Sequence, residues 1–202
     1  PAPSVNDVWK LEEVLVRIED DYDLVIIDTP PSINALTRTA WVASDRVILV
    51  TEPALYSVIA ADRARKAIQE ISAKLSPRLQ LLGVVVNRFR PQSHEHDYRI
   101  KELKELFGEQ ILMPYFEERA AVQQATGAAR PIHSWPAEGA AEIARGFDWL
   151  LAGAISELEQ AAGNREKVGA VGRSIRGTGI DEIIEVQEIK PKKKRWWSRK
   201  SS

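Results

Sequence analysis

Residues 23–31 read Asp-Leu-Val-Ile-Ile-Asp-Thr-Pro-Pro and have the residue types of a metal site at the end of a buried strand. The apolar run 24–27 has strand length, and Asp28 follows it directly. A buried parallel strand would deliver the Asp28 carboxylate to its carboxyl end, where one carboxylate with several waters suits Mg²⁺. Pro30 and Pro31 stop any regular element there and stiffen the turn. The same residues also suit an aspartate that only caps a strand or starts a turn.

The elements that must position this aspartate alternate between apolar strands and amphipathic helices. Continuous apolar runs are typical of parallel strands that are buried on both faces, and the alternation with helices favours the same architecture. We therefore predict an α/β fold with a doubly wound, mostly parallel sheet and helices on both faces. Strands are expected at 24–27, 47–50, 81–86 and 111–113, and helices at 9–18, 35–43, 57–75, 100–107 and 140–158, with a helical turn at 120–125.

Ligands of such a fold bind beyond the carboxyl ends of the strands. The residues that follow the predicted strands are Asp28, then Thr51 and Glu52, then Asn87 and Arg88, and finally Pro114. We expect the chemistry of the protein at these positions.

Composition limits the function classes. The 202 residues carry a net charge of −1, so attraction to nucleic acid or membrane must come from a local patch. The absence of cysteine excludes disulfides and cysteine-ligated zinc or iron–sulfur sites within these residues, and it fits a cytoplasmic protein. Length and composition predict one domain over residues 1–161, followed by a second segment over 162–202.

The second segment changes composition twice. Residues 163–180 are rich in glycine and charge and predict a flexible linker. Residues 190–202 carry seven Lys or Arg and no acid. Such a tail suits anionic lipid headgroups, nucleic-acid phosphates, or simple solubilisation. The residues that would make the contact are Lys192, Lys193, Lys194, Arg195, Trp196 and Trp197.

Residues 21–32, followed by a helix and the strand at 47–51, resemble the Walker B and switch II region of the ParA, Soj and MinD ATPases. Residues 82–88 are similar to the family strand whose end meets the adenine. Residues 119–125 and 130–132 resemble the ParA segment after the next strand. The resemblance covers about residues 8–158 and implies a P-loop NTPase-like fold whose first strands are missing here.

The resemblance implies a partitioning ATPase with ATP and Mg²⁺ as cofactors. Such proteins form a nucleotide-sandwich homodimer, bind DNA nonspecifically when ATP is bound, and release it after a ParB-like partner stimulates hydrolysis. They lie in the cytoplasm on the nucleoid and move plasmids or chromosomes. Asp28 would act at Mg²⁺ through water, and Thr29, Pro30 and Pro31 would form the catalytic switch II segment.

Two further sets of residues take roles from the same resemblance. Asn87, Arg88 and Pro114 would lie near the nucleotide base. Arg119 and Arg130 would contact DNA phosphates, unless they are ordinary surface cations.

The sequence departs from the family at one decisive point. The family's phosphate-binding loop, Gly-Lys-Gly-Gly-x-Gly-Lys-Ser/Thr, does not occur in these residues. This loop supplies the backbone cradle, the lysine and the Mg²⁺-binding hydroxyl, so we expect no ATP hydrolysis by the chain as given. Amino-terminal truncation is the simplest explanation, and loss of the central first strand should expose apolar surface on its neighbour. A degenerate, non-enzymatic interaction protein is the other explanation.

Other function classes fit the sequence less well. A MinD-like ATPase at the membrane periphery is favoured by the basic tail, whereas residues 119–132 favour ParA. Tyrosine kinases of this superfamily end in a tyrosine cluster, but the last tyrosine here is Tyr115. His94, Glu95, His96 and Asp97 have no strong zinc-binding spacing and are expected in a solvated loop.

Overall fold

The computed structural model describes the backbone of residues 8–18 and 21–176, and side chains as far as residue 160. The chain divides into two units, Pro1–Ala161 and Ala162–Ser202. In the second unit only the helical backbone of residues 162–176 is described. The basic tail, with Lys192, Lys193, Lys194, Arg195, Trp196 and Trp197, lies outside the described residues.

Three parallel strands form the described sheet, in the order β1, β2, β3. They are β1 (Arg46–Thr51), β2 (Gln80–Val86) and β3 (Ile111–Leu112). Thr51 pairs with Val86 and Val85 pairs with Leu112, so the carboxyl ends of the strands lie at one edge. The predicted parallel α/β architecture is confirmed.

Helices precede, connect and follow the strands, as the apolar periodicity predicted. The helices are α1 (Lys10–Leu15), α2 (Ala35–Val42), α3 (Leu55–Lys74), α4 (His94–Phe107), α5 (Ala120–Gly127) and α6 (Ala140–Arg176). Short 3₁₀ turns occupy Gly108–Gln110 and Ile132–Ser134. None of the helices that the structure describes is long and apolar enough to cross a membrane.

The core occupies both faces of the sheet. On one face α3 and α4 pack against β2 through a buried cluster of Val58, Ala61, Val84, Val86, Ile100, Leu103 and Phe107. On the other face Val85 packs with Phe116, which follows β3, and with Ile143 of α6. Successive residues of β2 thus face opposite layers, which explains why this strand is apolar without alternation.

Residues 24–27 do not form the predicted strand. The described sheet has three strands instead of four, and residues 24–30 run without regular secondary structure. The side chains of Val25 and Ile26 are 45% and 80% exposed. An apolar run becomes a strand only when a neighbour takes up its backbone N–H and C=O groups, and within the described residues β1 pairs only with β2. Val50 of β1 is 66% exposed, so the expected exposed apolar surface is present.

Three other boundaries differ from the prediction. His94 and His96 lie in the first turn of α4 and not in a loop, because Ser93 caps this helix and Glu95 and Asp97 favour its amino terminus. Helix α5 extends beyond the single turn that was expected. Helix α6 continues to Arg176 and replaces the first part of the linker predicted at 163–180.

Candidate functional site

The carboxyl ends of β1 and β2 are joined by backbone and side-chain bonds. Asn87 donates its backbone N–H to the carbonyl oxygen of Thr51 at 2.8 Å. Arg88 follows in the left-handed region, with φ 56°, and its Nη1 donates to Glu52 Oε1 at 3.0 Å. The structure therefore brings together four of the predicted strand-end residues.

The chain after β3 runs beside the end of β2. Phe116 donates its N–H to Val86 O at 2.8 Å, and Phe89 donates its N–H to Phe116 O at 2.9 Å. Pro114, which was expected near the nucleotide base, is exposed just beyond β3. Its ring lies close to Gly146 of α6, so Pro114 sits between the sheet edge and that helix.

Asp28 forms no hydrogen bond or ion pair with the residues of this joined edge. Its side chain is exposed and makes no hydrogen bond or ion pair with the residues that the structure describes. Thr29 is half-buried, and Pro30 and Pro31 are exposed ahead of α2. No group of three or more His, Asp or Glu side chains lies together in the described ranges as a cation site. The exposed Asp28 carboxylate fits a Mg²⁺ ion, which proteins usually bind through one or two carboxylates while it keeps several waters.

The ends of the strands carry a chain of ion pairs that the sequence did not predict. Arg88 Nε lies 3.8 Å from Glu118 Oε1, and Arg90 Nε donates to the other carboxylate oxygen of Glu118. The hydrogen bond from Arg90 holds the pKa of Glu118 below its usual value, and Glu118 in turn raises the pKa of Arg90. The arginines at this edge are therefore compensated by acids.

Beside these pairs an open cavity of about 360 Å³ lies between the end of β2 and the start of α5. Both cations and anions line it. Its lining residues are Phe89, Arg90, Pro91, Gln92, Ser93, Glu117, Glu118 and Arg119. Glu117 and Glu118 were missed by the sequence reasoning. The sequence contained one signal for them, because these two acids directly precede Arg119, an arginine that was predicted to bind phosphate.

The two predicted DNA-binding arginines have different surroundings. Arg119 Nη2 lies 2.7 Å from Glu117 Oε2 and 3.4 Å from Glu142 Oε2, and its Nε is buried without a hydrogen-bond partner. Arg130 donates to Ser134 O at 3.1 Å and lies over the Trp135 ring at 5.7 Å. Within the described residues Arg130 has no carboxylate partner, whereas Arg119 has two.

Comparison with known proteins finds ParA proteins among the relatives of this chain. Residues 3–81 match the family model AAA_31, described as an AAA domain. The chromosome partitioning protein ParA of Caulobacter vibrioides is 25% identical over 126 residues, 61% of this chain and 47% of that protein. A ParA family protein of Chlamydia pneumoniae is 31% identical over 123 residues, 61% of this chain and 48% of that protein. The chain thus spans about half the length of the curated relatives it matches.

Several solved structures share this fold, and some of them contain a bound nucleotide. A complex of Cyanothece McdA with ATP matches 73% of this chain and 57% of its own, with TM-score 0.65 and 20% identity. The cell division ATPase MinD of Pyrococcus furiosus matches 71% of this chain and 59% of its own, with TM-score 0.54 and 21% identity. Cobyrinic acid a,c-diamide synthase of Mycobacterium smegmatis, with a bound ATP analogue and magnesium, matches 63% of this chain and 57% of its own at TM-score 0.53 and 19% identity. These likenesses establish the fold.

Proposed function

We propose that this chain is a ParA/MinD-type P-loop ATPase-like protein and that it works in a partitioning ATPase that segregates a plasmid or chromosome. The intact protein would bind ATP and Mg²⁺, pair as a homodimer, hold DNA without sequence preference, and release it when a ParB-like partner stimulates hydrolysis. It would act in the cytoplasm on the nucleoid. The similarity to two proteins named for ParA supports the partitioning role. The nucleotide complexes among the structural relatives support the cofactors.

Asp28 is the residue of this chain that would hold the metal. Its carboxylate has no competing partner among the described residues, which leaves it free to bind a water of Mg²⁺. When bound, Mg²⁺ supplies positive charge that neutralises the nucleotide phosphates. Thr29, Pro30 and Pro31 would report the state of the terminal phosphate to α2, which begins a few residues later.

The observation that carries the proposal is the joined edge of the sheet, because in open α/β folds the carboxyl ends of the strands form the binding crevice. Asn87 and Arg88 are fixed there by bonds to Thr51 and Glu52. Asn87 is half-buried and Pro114 is exposed at the same edge, so both would be within reach of a nucleotide base.

The experiment begins with the in-frame DNA upstream of the Pro1 codon, where about 100 more residues with a glycine-rich loop ending in Gly-Lys-Thr would complete the expected ATPase domain. The longer protein should hydrolyse ATP with Mg²⁺, and Asp28→Asn should lower kcat roughly 100-fold, the loss typical of removing one electrostatic stabiliser. Glu109→Gln, at an exposed acid outside residues 21–32, is the control and should leave kcat unchanged.

The 202-residue chain by itself should show no turnover above buffer, since its sequence has no phosphate-binding loop. Turnover by this chain, or full turnover by Asp28→Asn in the longer protein, would contradict the proposed role of the site. A start codon at or just before Pro1 would favour the non-enzymatic interaction protein.

A second candidate is a MinD-like ATPase at the membrane periphery. The observation that favours it is the tail, where Trp196 and Trp197 follow a run of lysines, because tryptophan and basic residues together suit an anionic membrane surface. Co-sedimentation with vesicles that contain phosphatidylserine should then be lost when residues 190–202 are deleted. Binding that is equal with and without the tail would exclude this candidate.

A further inference from the structure

Two adjacent carboxylates each hold one arginine at the same cavity. Glu117 contacts Arg119 at 2.7 Å, and Glu118 accepts a hydrogen bond from Arg90. All four side chains line the cavity of about 360 Å³ beside the end of β2. The cavity therefore contains two guanidinium groups, which suit phosphate, and two carboxylates that already contact them. Two weaker contacts come from outside the cavity lining: Glu142 lies 3.4 Å from Arg119, and Arg88 lies 3.8 Å from Glu118.

The backbone fixes where the two acids lie. Glu118 donates its N–H to Phe89 O at 2.9 Å, and Phe89 and Glu117 form a parallel bridge. Arg90 follows Phe89 directly, so Arg90 and Glu118 lie on two backbone segments that are hydrogen-bonded to each other. The stem of Arg119 lies near Gly139, with Cδ 3.6 Å from the position a Cβ would take there, so this arginine is also confined.

The ion pairs are nevertheless open to solvent. The side chains of Arg90 and Arg119 are 63% and 40% exposed, and those of Glu117 and Glu118 are 31% and 27% exposed. Exposed pairs of this kind are weak, since water and salt screen them. A phosphate with its full charge can therefore compete for the same guanidinium groups.

We propose that Glu117 and Glu118 act as internal competitors of DNA phosphates, so that duplex DNA reaches Arg119 and Arg90 only when these two ion pairs open. The inference rests on the proposed nonspecific DNA binding. It adds competition by Glu117 and Glu118, called the brake below, which weakens that binding. Arg130 has no acidic partner within the described residues and provides a contact that the brake does not control. The brake keeps affinity low until several contacts form together, as on a long duplex.

The test uses the full-length protein with ATP and Mg²⁺, and measures binding to duplex DNA of arbitrary sequence over a series of salt concentrations. The double variant Glu117→Gln with Glu118→Gln keeps the size of both side chains and removes their charge. It should bind about tenfold more tightly at low salt, with a salt slope about 0.9 to 1.8 units steeper, because each additional phosphate contact adds about 0.9 to the slope and Glu142 still competes for Arg119.

A matched control removes the same charge elsewhere. Glu105 and Glu109 are exposed, form no ion pair with the residues that the structure describes, and lie at the far end of α4 and just after it. Glu105→Gln with Glu109→Gln should change affinity and slope far less. An equal gain in this control would reduce the effect to net charge and overturn the inference.

A reversal variant identifies the arginines that are released. Adding Arg90→Gln and Arg119→Gln to the Glu117→Gln, Glu118→Gln protein should abolish both the gain in affinity and the steeper slope. Adding Arg90→Lys and Arg119→Lys, which keeps the charge, should retain most of the gain. Circular dichroism of each variant checks that it is folded.

The outcomes separate the brake from the function on which it rests. If the unchanged protein binds DNA and the Glu→Gln variant binds with the same affinity and slope, DNA binding stands and the brake is overturned. If neither binds DNA while ATP turnover is normal, both the brake and the DNA-binding part of the proposed function fail. If the gain persists after both arginines are removed, the carboxylates act elsewhere and the inference is wrong.

Discussion

The arginines of this protein differ in what each can reach, and that difference decides what each can bind. Arg88 bridges Glu52 and Glu118, and Arg90 shares Glu118. Arg119 is held by two acids, whereas Arg130 has only a carbonyl and an indole ring within the described residues. A guanidinium that already has a carboxylate gains little from a phosphate unless the first bond opens. Of the two arginines predicted to bind DNA, only Arg130 has no acidic competitor among the residues that the structure describes.

Gly83 in β2 is required by a close approach of the neighbouring chain. A Cβ at this position would lie 2.5 Å from Leu112 Cγ and 2.8 Å from the backbone oxygen of Gln110. We predict that Gly83→Ala lowers the free energy of unfolding by about 1–3 kcal/mol, since overpacking displaces β3 and the turn before it. Urea denaturation of the two proteins measures the difference.

Gly127 at the end of α5 provides the matched control for this substitution. Nothing lies within 4 Å of a Cβ built there. Gly127→Ala should leave stability unchanged or raise it by up to about 1 kcal/mol, because alanine favours the helix. Equal effects of the two substitutions would show that the contact with β3 does not constrain Gly83.

At the scale of elements, α2 begins after a capping residue, Asn34, which lies three residues after Pro31. Asn34 is extended, and its Oδ1 accepts the N–H of Thr37 at 3.0 Å. Thr37 is buried and donates its hydroxyl to Ser32 O at 2.7 Å, so the cap also ties the helix to the segment that follows Pro31. Helix α2 therefore positions the predicted switch segment.

Asn34→Ala should cost about 1 kcal/mol of stability, because the first-turn N–H groups lose their acceptor. Asn34→Ser keeps a capping oxygen and should cost much less. Thermal unfolding compares the two variants. If both destabilise equally, the bond to Thr37 does not cap α2, and the role of Asn34 lies in its contact with Ser32, 3.0 Å away.

The segment that carries Asp28, residues 24–30, forms no strand in the structure. Residues 24–30 precede α2 without strand pairing, although their composition suits a buried strand. The strength of a strand comes from its neighbours, and β1 has one partner in the described residues. The position of Asp28 is therefore not fixed by backbone pairing with β1, β2 or β3.

At the scale of the molecule, apolar surface is exposed on residues 24–30 and on β1. Ile26 is 80% exposed and Val50 is 66% exposed. Exposed apolar strand surface promotes association between chains.

We predict that the 202-residue chain associates at micromolar concentration, and that Ile26→Lys with Val50→Lys shifts it towards monomer. Size-exclusion chromatography with light scattering measures the mass. Leu106→Lys, at a side chain on α4 that is 39% exposed, is the control and should leave the mass unchanged. A monodisperse monomer of the unchanged chain would contradict the prediction.

The sequence by itself determined the class of fold and the order of its elements. Local patterns predicted these elements: the apolar runs of β1, β2 and β3, and the helical spacing of α3 and α6. Most of these apolar residues are buried or half-buried in the fold. The helix caps were weaker signals. Ser93 begins α4 six residues earlier than the apolar pattern predicted, because side-chain capping and acidic residues act where hydrophobic periodicity is silent.

Only the tertiary structure decided the pairings at the site. The contacts of Arg88 with Glu52 and of Arg90 with Glu118 join residues 36 and 28 positions apart, a distance at which local pattern carries no information. The same holds for residues 24–27, whose apolar composition predicted a strand. Composition states what a segment would bury, whereas pairing depends on which neighbour is present to accept its hydrogen bonds.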